Sequence, residues 1–254
     1  MLSKGKEYIT AITSMLDRII EEQAESIDKA ADIITSGLLN DHALFAYGNI
    51  HSAFTIGDLY IRAGGLALLN QITAPVLSSL EYDPAALWVG MERLEGYGKL
   101  VFDTTPAKEG DVLIVVSTSG RNAVPIEMAE NAKAKGLKVV VLTSMPYTLY
   151  QPSRYSSGKR LYEFADVVID NCAIPGDAIL KTDGLEVPFC PTSGVIDTAL
   201  LQTVMAEVIE RLVKAGANPP VYIAGNLDGY GEYRAKFEEN CNHNKYRIFY
   251  IPLI

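Results

Sequence analysis

The sequence predicts an α/β protein, a three-layer α/β/α sandwich around a central, mostly parallel sheet of five strands. Three observations predict it. Short, unbroken apolar runs recur along the chain, which is how strands buried on both faces read. Each run passes through a Gly- or Ser-containing turn into a stretch with helical spacing. Repeated strand–helix alternation is the pattern of a parallel sheet covered by helices on both sides, and right-handed crossovers then bring the strand-to-helix loops to the sheet's carboxyl edge.

Taken in order, residues 6–36 carry Ile9, Ile12, Leu16, Ile19, Ile20, Ile27, Ile33 and Ile34 at helical spacing, with Gly37 as a stop signal. This predicts a long amphipathic helix, broken or continuous. Ala43 to Tyr47 is a short apolar run ending at Gly48, and residues 52–63 follow with helical spacing. Residues 66–72 read as a second strand, and residues 84–102 as mostly helical. Asp111 to Val116 is the clearest buried strand; the helix after it, residues 123–135, closes at Gly136. Lys138 to Thr143 and Ala165 to Asp170 are further strands, followed by a long helix over about 193–215 and a terminal helix near 232–239. No linker separates a second domain, so the expectation is one domain over 1–254, with an N-terminal helical extension over about 1–37 and C-terminal helices over about 193–254.

Composition narrows the function classes. The hydrophobic fraction is 48% and the charged fraction 21%, ordinary for a globular protein. A formal charge of −9 with scattered Lys and Arg argues against nucleic acid, whose backbone is bound through clustered cations. Cys172, Cys190 and Cys241 form no C-x-x-C pair, and the odd count speaks against a disulfide framework. The first residues are charged and show no apolar leader, and no run reaches the roughly 20 apolar residues of a membrane span. The expected setting is the cytoplasm, with no membrane or nucleic-acid partner.

Two loops carry the chemistry. Ser117-Thr118-Ser119-Gly120-Arg121-Asn122 lies between the most apolar strand and its helix. Its hydroxyls donate hydrogen bonds, Gly120 permits a tight turn, and the helix N-terminus behind it favours an anion. Asn122 suits an N-cap and Pro125 the first turn. A Ser-rich turn that only caps the helix has the same composition. The second loop, Gly48-Asn49-Ile50-His51-Ser52, repeats the strand–loop–helix arrangement, with Ser52 placed to cap the next helix. Two such loops in one parallel sheet converge at its carboxyl edge. Neither a G-x-x-x-x-G-K-[ST] nor a G-x-G-x-x-G motif is present, and no His or Cys has partners at metal-ligand spacing, so no cofactor and no metal are expected.

The pairing of the Gly-Asn-x-x-Ser loop with Val115-Val116-Ser117-Thr118-Ser119-Gly120 resembles the SIS (sugar isomerase) domain of phosphosugar isomerases and sugar-phosphate-binding regulators. Tyr60 to Gly65, Arg121 to Ala129, Ser157 to Leu161, Ala165 to Asn171 and Gly176 to Ala178 are similar to an uncharacterised subfamily described as phosphosugar isomerases. The resemblance covers most of the chain. It implies the SIS fold, a Rossmann-like or flavodoxin-like arrangement. It also implies a phosphorylated sugar as ligand, held by Gly48, Asn49, Ser52, Ser117, Thr118, Ser119, Arg121 and Asn122. Ser117, Ser119 and Asn122 would hold the phosphate and Ser52 would reach the sugar. Position 122 departs from the Ser or Thr more usual there, and Tyr155 stands where the subfamily segment suggests His.

Aldose–ketose isomerisation requires a base to move a proton between adjacent carbons, commonly Glu or His. His51 lies inside the first loop, Glu81 follows the second strand, and Glu92 sits in a helical stretch; these are the candidate catalytic residues. Glu95 reads as a solvated face, and Asp58 with Arg62 as an (i, i+4) pair where the well-known pattern has an acid. The expected activity is isomerisation of a sugar phosphate. A non-catalytic sugar-phosphate sensor and a lyase or deaminating isomerase remain open. A homodimer or higher oligomer is expected, joined through residues 6–36 and 193–215, and the resemblance implies a site completed by a neighbouring subunit.

Overall fold

A computed structural model of the chain describes residues 2–78, 85–228, 230–244 and 247–249. The chain opens with two consecutive helices, α1 (Ser3–Glu22) and α2 (Ala24–Leu39), broken only at Gln23. There follow β1 (Leu44–Gly48), α3 (His51–Leu59), β2 (Leu69–Gln71), α4 (Ala85–Met91), α5 (Tyr97–Asp103), β3 (Val112–Val116) and α6 (Ala123–Ala134). The remainder is β4 (Lys138–Thr143), α7 (Met145–Tyr150), a 3-10 turn at Leu161–Phe164, β5 (Val167–Asp170), β6 (Ala178–Thr182), β7 (Leu185–Pro191), α8 (Ser193–Lys214) and α9 (Tyr230–His243). No helix among the described residues is long and apolar enough to cross a membrane.

The expected sheet is present: five strands, all parallel, in the order β2-β1-β3-β4-β5. β1 and β3 are central and fully buried, which explains their unbroken apolar runs. Their side chains alternate between two cores. Leu44, Ala46, Val112, Ile114 and Val116 pack with α2, α3 and α8; Phe45, Tyr47, Leu113 and Val115 pack with α5 and α6. The helices over 6–36 and 193–215 therefore cover one face of the sheet, with Ala30, Ala31 and Ile34 of α2 meeting Leu201, Val204 and Val208 of α8 in one cluster.

Two elements were not expected from sequence. β6 and β7 form an antiparallel hairpin away from the main sheet, whose β7 side chains are largely exposed. α7 is a single short turn after β4, capped by the Ser144 hydroxyl, which accepts from the Tyr147 amide at 3.0 Å. The apolar run from Val221 makes no strand; Val221 forms one isolated bridge with Leu66.

Buried polar side chains fix the packing of helices against loops. Glu127 of α6 is buried, and its carboxylate accepts from the amides of Gly96 (2.6 Å) and Gly98 (2.8 Å), capping the positive end of α5. Asp197 of α8 is 1% exposed and accepts from the Asn171 amide at 2.6 Å. Burial, reinforced by the charge of Asp177, pushes the Asp197 carboxyl up to about 8, against the lowering effect of the Asn171 hydrogen bond. The folded protein therefore retains a proton on Asp197 that the unfolded chain releases near 3.8. The stabilisation associated with that proton is full below the unfolded value and is lost as the pH rises through about 8. Asp197→Asn, which keeps the acceptor and removes the ionisation, is expected to flatten this decline. Melting temperatures of both proteins from pH 5 to 9 test it, and parallel curves would refute the assignment.

Candidate functional site

The strand order fixes where a site belongs. From β1 the chain crosses to β2 on one side, and from β3 to β4 on the other, so the loops leaving β1 and β3 separate a crevice at their carboxyl ends. A cavity of about 690 Å³ lies there. Asn49, Ile50, His51 and Ser52 line it from the first loop, and Ser117, Thr118, Ser119, Arg121 and Asn122 from the second. Glu92, Tyr147, Tyr150, Gln151, Arg154, Asp177, Ser193 and Gly194 contribute to the rest of the wall.

The second loop is held from behind through its carbonyls. Ser117 O accepts from the Thr143 hydroxyl (2.7 Å), Thr118 O from the Ser144 amide (3.0 Å), and Ser119 O from the Thr148 hydroxyl (2.8 Å). Gly120 O accepts from the Leu161 amide (3.0 Å) and Arg121 O from the Arg154 amide (2.8 Å). In a trans peptide the carbonyl and the next N–H point in opposite directions. Carbonyls drawn outward therefore turn the following amides inward, and the amides of Thr118, Ser119, Arg121 and Asn122 have no acceptor among the described residues. Gly120 makes the turn at φ +53°, and a Cβ there would meet Thr148 Oγ1 at 2.5 Å and Thr143 Oγ1 at 2.9 Å. Asn122 occupies the N-cap of α6, as expected, but its side chain does not cap the helix. Its Oδ1 accepts from the Arg154 guanidinium at 3.1 Å.

In the first loop, Gly48 ends β1 where the backbone of α3 crosses closely; a Cβ there would meet Ser52 O at 2.5 Å. Ser52 is not the cap of α3. That position falls to Ile50, at φ 54° and ψ −115°, a strained conformation for a β-branched residue. The hydroxyls of Ser52, Thr118 and Ser119 have no partner among the described residues. Asn49 is 7% exposed; the Tyr47 hydroxyl donates to its Oδ1, and its Nδ2 has no partner. That hydrogen bond fixes the orientation of the amide, and Nδ2 is itself buried beneath the cavity wall. His51 is exposed at the start of α3, with its ring edge-on to Phe54 at 6.3 Å.

Glu92 lies one residue beyond α4, its amide bonded to Trp88 O (3.0 Å) and its carbonyl accepting from Val124 N–H (3.2 Å) at the start of α6. Burial raises its carboxyl above the ordinary glutamate range, while the Asn122 amide and the charges of Arg93 and Arg154 act in the opposite direction. Glu81 lies outside the described residues. Glu95, expected on a solvated face, is exposed but engaged: it accepts from the Ser156 amide (2.7 Å) and hydroxyl (2.6 Å). Asp58 and Arg62 form the expected ion pair.

The N-terminus of α8 also reaches the cavity, but it is already neutralised. Asp177 accepts from Thr192 N–H (3.0 Å), Ser193 N–H (2.9 Å) and both hydroxyls. Arg154, Gln151, Asp177 and Ser193 were not named as site residues from sequence. The signal for two of them was present, since Asp177 lies inside one motif-bearing segment and Arg154 shortly before another. Tyr155 faces elsewhere: its hydroxyl donates to Glu130 (2.7 Å), and that hydrogen bond, with burial, raises its ionisation. Gly48 is not among the lining residues; its part is to admit the backbone of α3.

This fold and crevice define an α/β protein of the doubly wound, parallel-sheet class. Residues 7–144, more than half of the chain, match the SIS domain family. Over 244 residues the chain is 39% identical to a UPF0309 protein of Streptomyces griseus, covering 96% of each. It is 38% identical to one of Shouchella clausii, covering 98% of this chain and 100% of the other. The chain belongs to the SIS domain family, among the UPF0309 proteins. A phosphoheptose isomerase from Francisella tularensis shares the fold, with a TM-score of 0.55 at 15% identity over 82% of this chain and 98% of that one.

Because the turn at Gly120 leaves no room for a side chain, Gly120→Ala is expected to cost about 1–2 kcal/mol from the left-handed conformation alone, with a further loss from displaced threonine hydroxyls. Urea unfolding measures it; an unchanged midpoint would show that the loop adopts another conformation.

Proposed function

We propose that this protein binds a sugar phosphate in the cavity between the β1 and β3 loops and isomerises it by proton transfer between adjacent carbons. One observation carries the reading: donors without acceptors among the described residues are concentrated at one cavity, namely the amides of Thr118, Ser119, Arg121 and Asn122 and the hydroxyls of Ser52, Thr118 and Ser119. Buried amides without acceptors are rare, and those at a helix N-terminus favour an anion with several oxygens. The hydroxyls of Ser119 and Thr118 add donors of the kind a phosphate monoester accepts. A phosphoheptose isomerase with the same fold makes sugar phosphates the first ligand class to test.

With the phosphate at the β3 loop, the sugar extends toward β1. Glu92 is the base that takes the C2 proton and returns it to C1; burial raises its ionisation above the ordinary glutamate range. His51, on the rim, is the group that assists ring opening. Ser52 contacts a sugar hydroxyl.

A thermal-shift screen against sugar phosphates, their unphosphorylated parents and inorganic phosphate tests the binding step. Stabilisation by phosphorylated sugars alone is expected, weakened in Ser119→Ala by about 1–3 kcal/mol of binding energy. No shift from any sugar phosphate would remove the reading. For the chemistry, exchange of the C2 proton in deuterated water is expected in the wild type and lost in Glu92→Gln with binding retained. Binding without exchange in the wild type would make the protein a sensor instead.

A further inference from the structure

We infer that Arg154 is a positioning residue for Glu92, acting through the side-chain amide of Asn122; the inference rests on the reading of Glu92 as the acid–base group. The geometry is a relay. Arg154 Nη1 donates to Asn122 Oδ1 at 3.1 Å, which leaves the amide nitrogen of Asn122 to face the Glu92 carboxylate. An arginine can only donate, so this contact decides which way the Asn122 amide points. Among the described residues Arg154 has no carboxylate ion pair, and Asn122 Oδ1 is the only side-chain acceptor recorded for its guanidinium.

The segment bearing Arg154 is clamped at both ends of this relay. The Arg154 amide donates to Arg121 O at 2.8 Å, joining it to the β3 loop. Two residues on, Ser156 donates to Glu95 through its amide (2.7 Å) and hydroxyl (2.6 Å), joining it to the turn that carries Glu92. The guanidinium of Arg121 supports the same segment from below, through Pro152 O at 2.9 Å and the Gln151 side chain. Residues 151–156 therefore set the distance between the phosphate-facing loop and the acid–base turn. Oδ1 of Asn122 is occupied in that link, and its backbone N–H has no acceptor among the described residues.

The charge of Arg154 matters because Glu92 is half-buried and its burial raises its carboxyl. The groups facing it are Arg93 from its own turn, Asn122 from the start of α6, Arg154 from the 151–156 segment, and Tyr47 from β1 beneath. Tyr47 is fully buried and its ionisation is pushed far up, so it stays neutral and adds no charge. The two arginines and one amide are the counterweights to burial, and Arg154 is the one whose position depends on a hydrogen bond to the intervening amide.

The test is a carbon-13 NMR titration of protein labelled at the glutamate carboxyl carbons, with the Glu92 signal assigned by Glu92→Gln. The wild-type midpoint is expected above that of free glutamate. Arg154→Gln and Asn122→Ala are each expected to move it higher, by about half a pH unit or more, and Arg154→Lys to restore most of the shift. An Arg154→Gln protein whose Glu92 midpoint coincides with the wild type would overturn the positioning role. Arg154→Lys, which keeps the charge, guards against a variant that simply fails to fold. A moved midpoint together with proton exchange that survives Glu92→Gln would leave the relay intact and overturn the acid–base reading beneath it. The titration needs no substrate, so its outcome is independent of whether any sugar phosphate binds.

Discussion

Five consecutive carbonyls, from Ser117 to Arg121, are drawn to the outside of the β3 loop by donors on β4, α7 and the segment that follows. Each such bond points the N–H of the same peptide unit to the opposite side, and of these five only the Gly120 N–H is used within the loop, closing the turn on Ser117 O. The concentration of unpaired amides at the cavity is thus a by-product of how the loop is tied to its neighbours. The tie is expensive to break, because Thr143 and Thr148 are fully buried and bonded to each other at 3.1 Å. The same donors explain the glycine at position 120, since the threonine hydroxyls occupy the volume a side chain would need.

Helix dipoles at this edge are used selectively. α8 reaches the cavity with an internal anion, Asp177, already in place, and α5 has the buried carboxylate of Glu127. α6 has no capping side chain, because Asn122 turns its amide to Arg154 and Glu92. Among the described residues at this edge, the N-termini of α3 and α6 carry no capping side chain, and that of α6 lies behind the loop with inward amides. An acidic chain with a net charge of −9 can in this way hold a local anion site without a basic surface.

The buried polar groups around the site share one logic: each is pinned on one side so that its other side is available. Tyr47 holds Oδ1 of Asn49 and leaves its buried Nδ2 without a partner among the described residues. Arg154 holds Oδ1 of Asn122 and presents the amide nitrogen to Glu92. Amide side chains pinned in this way do not have to reorient when a ligand enters, which is the condition for a preorganised site.

The sheet, its parallel sense and the two loops at its carboxyl edge were legible in the sequence. Val112 to Val116 and Leu44 to Gly48 are continuously buried, and burial on both faces leaves an unbroken apolar signature. The Ser-Thr-Ser-Gly composition marked the turn after β3, where Gly120 has no room for a side chain. The β6–β7 hairpin escaped notice because most of β7 is exposed and carries no core pattern. Arg154, Gln151, Asp177 and Ser193 escaped because they are 99 or more positions from the first loop's residues in sequence and meet it only through the crossovers. The part played by Asn122 was hidden for the same reason: local sequence identifies a helix cap, but a side chain's hydrogen-bond partners are chosen by whatever the fold places beside it. Sequence periodicity and turn chemistry determined the fold and the Ser-Thr-Ser-Gly turn after β3, because both depend on neighbours along the chain. Which donors are left unpaired, and which carboxylate they face, was decided only by tertiary packing, because those properties depend on neighbours in space.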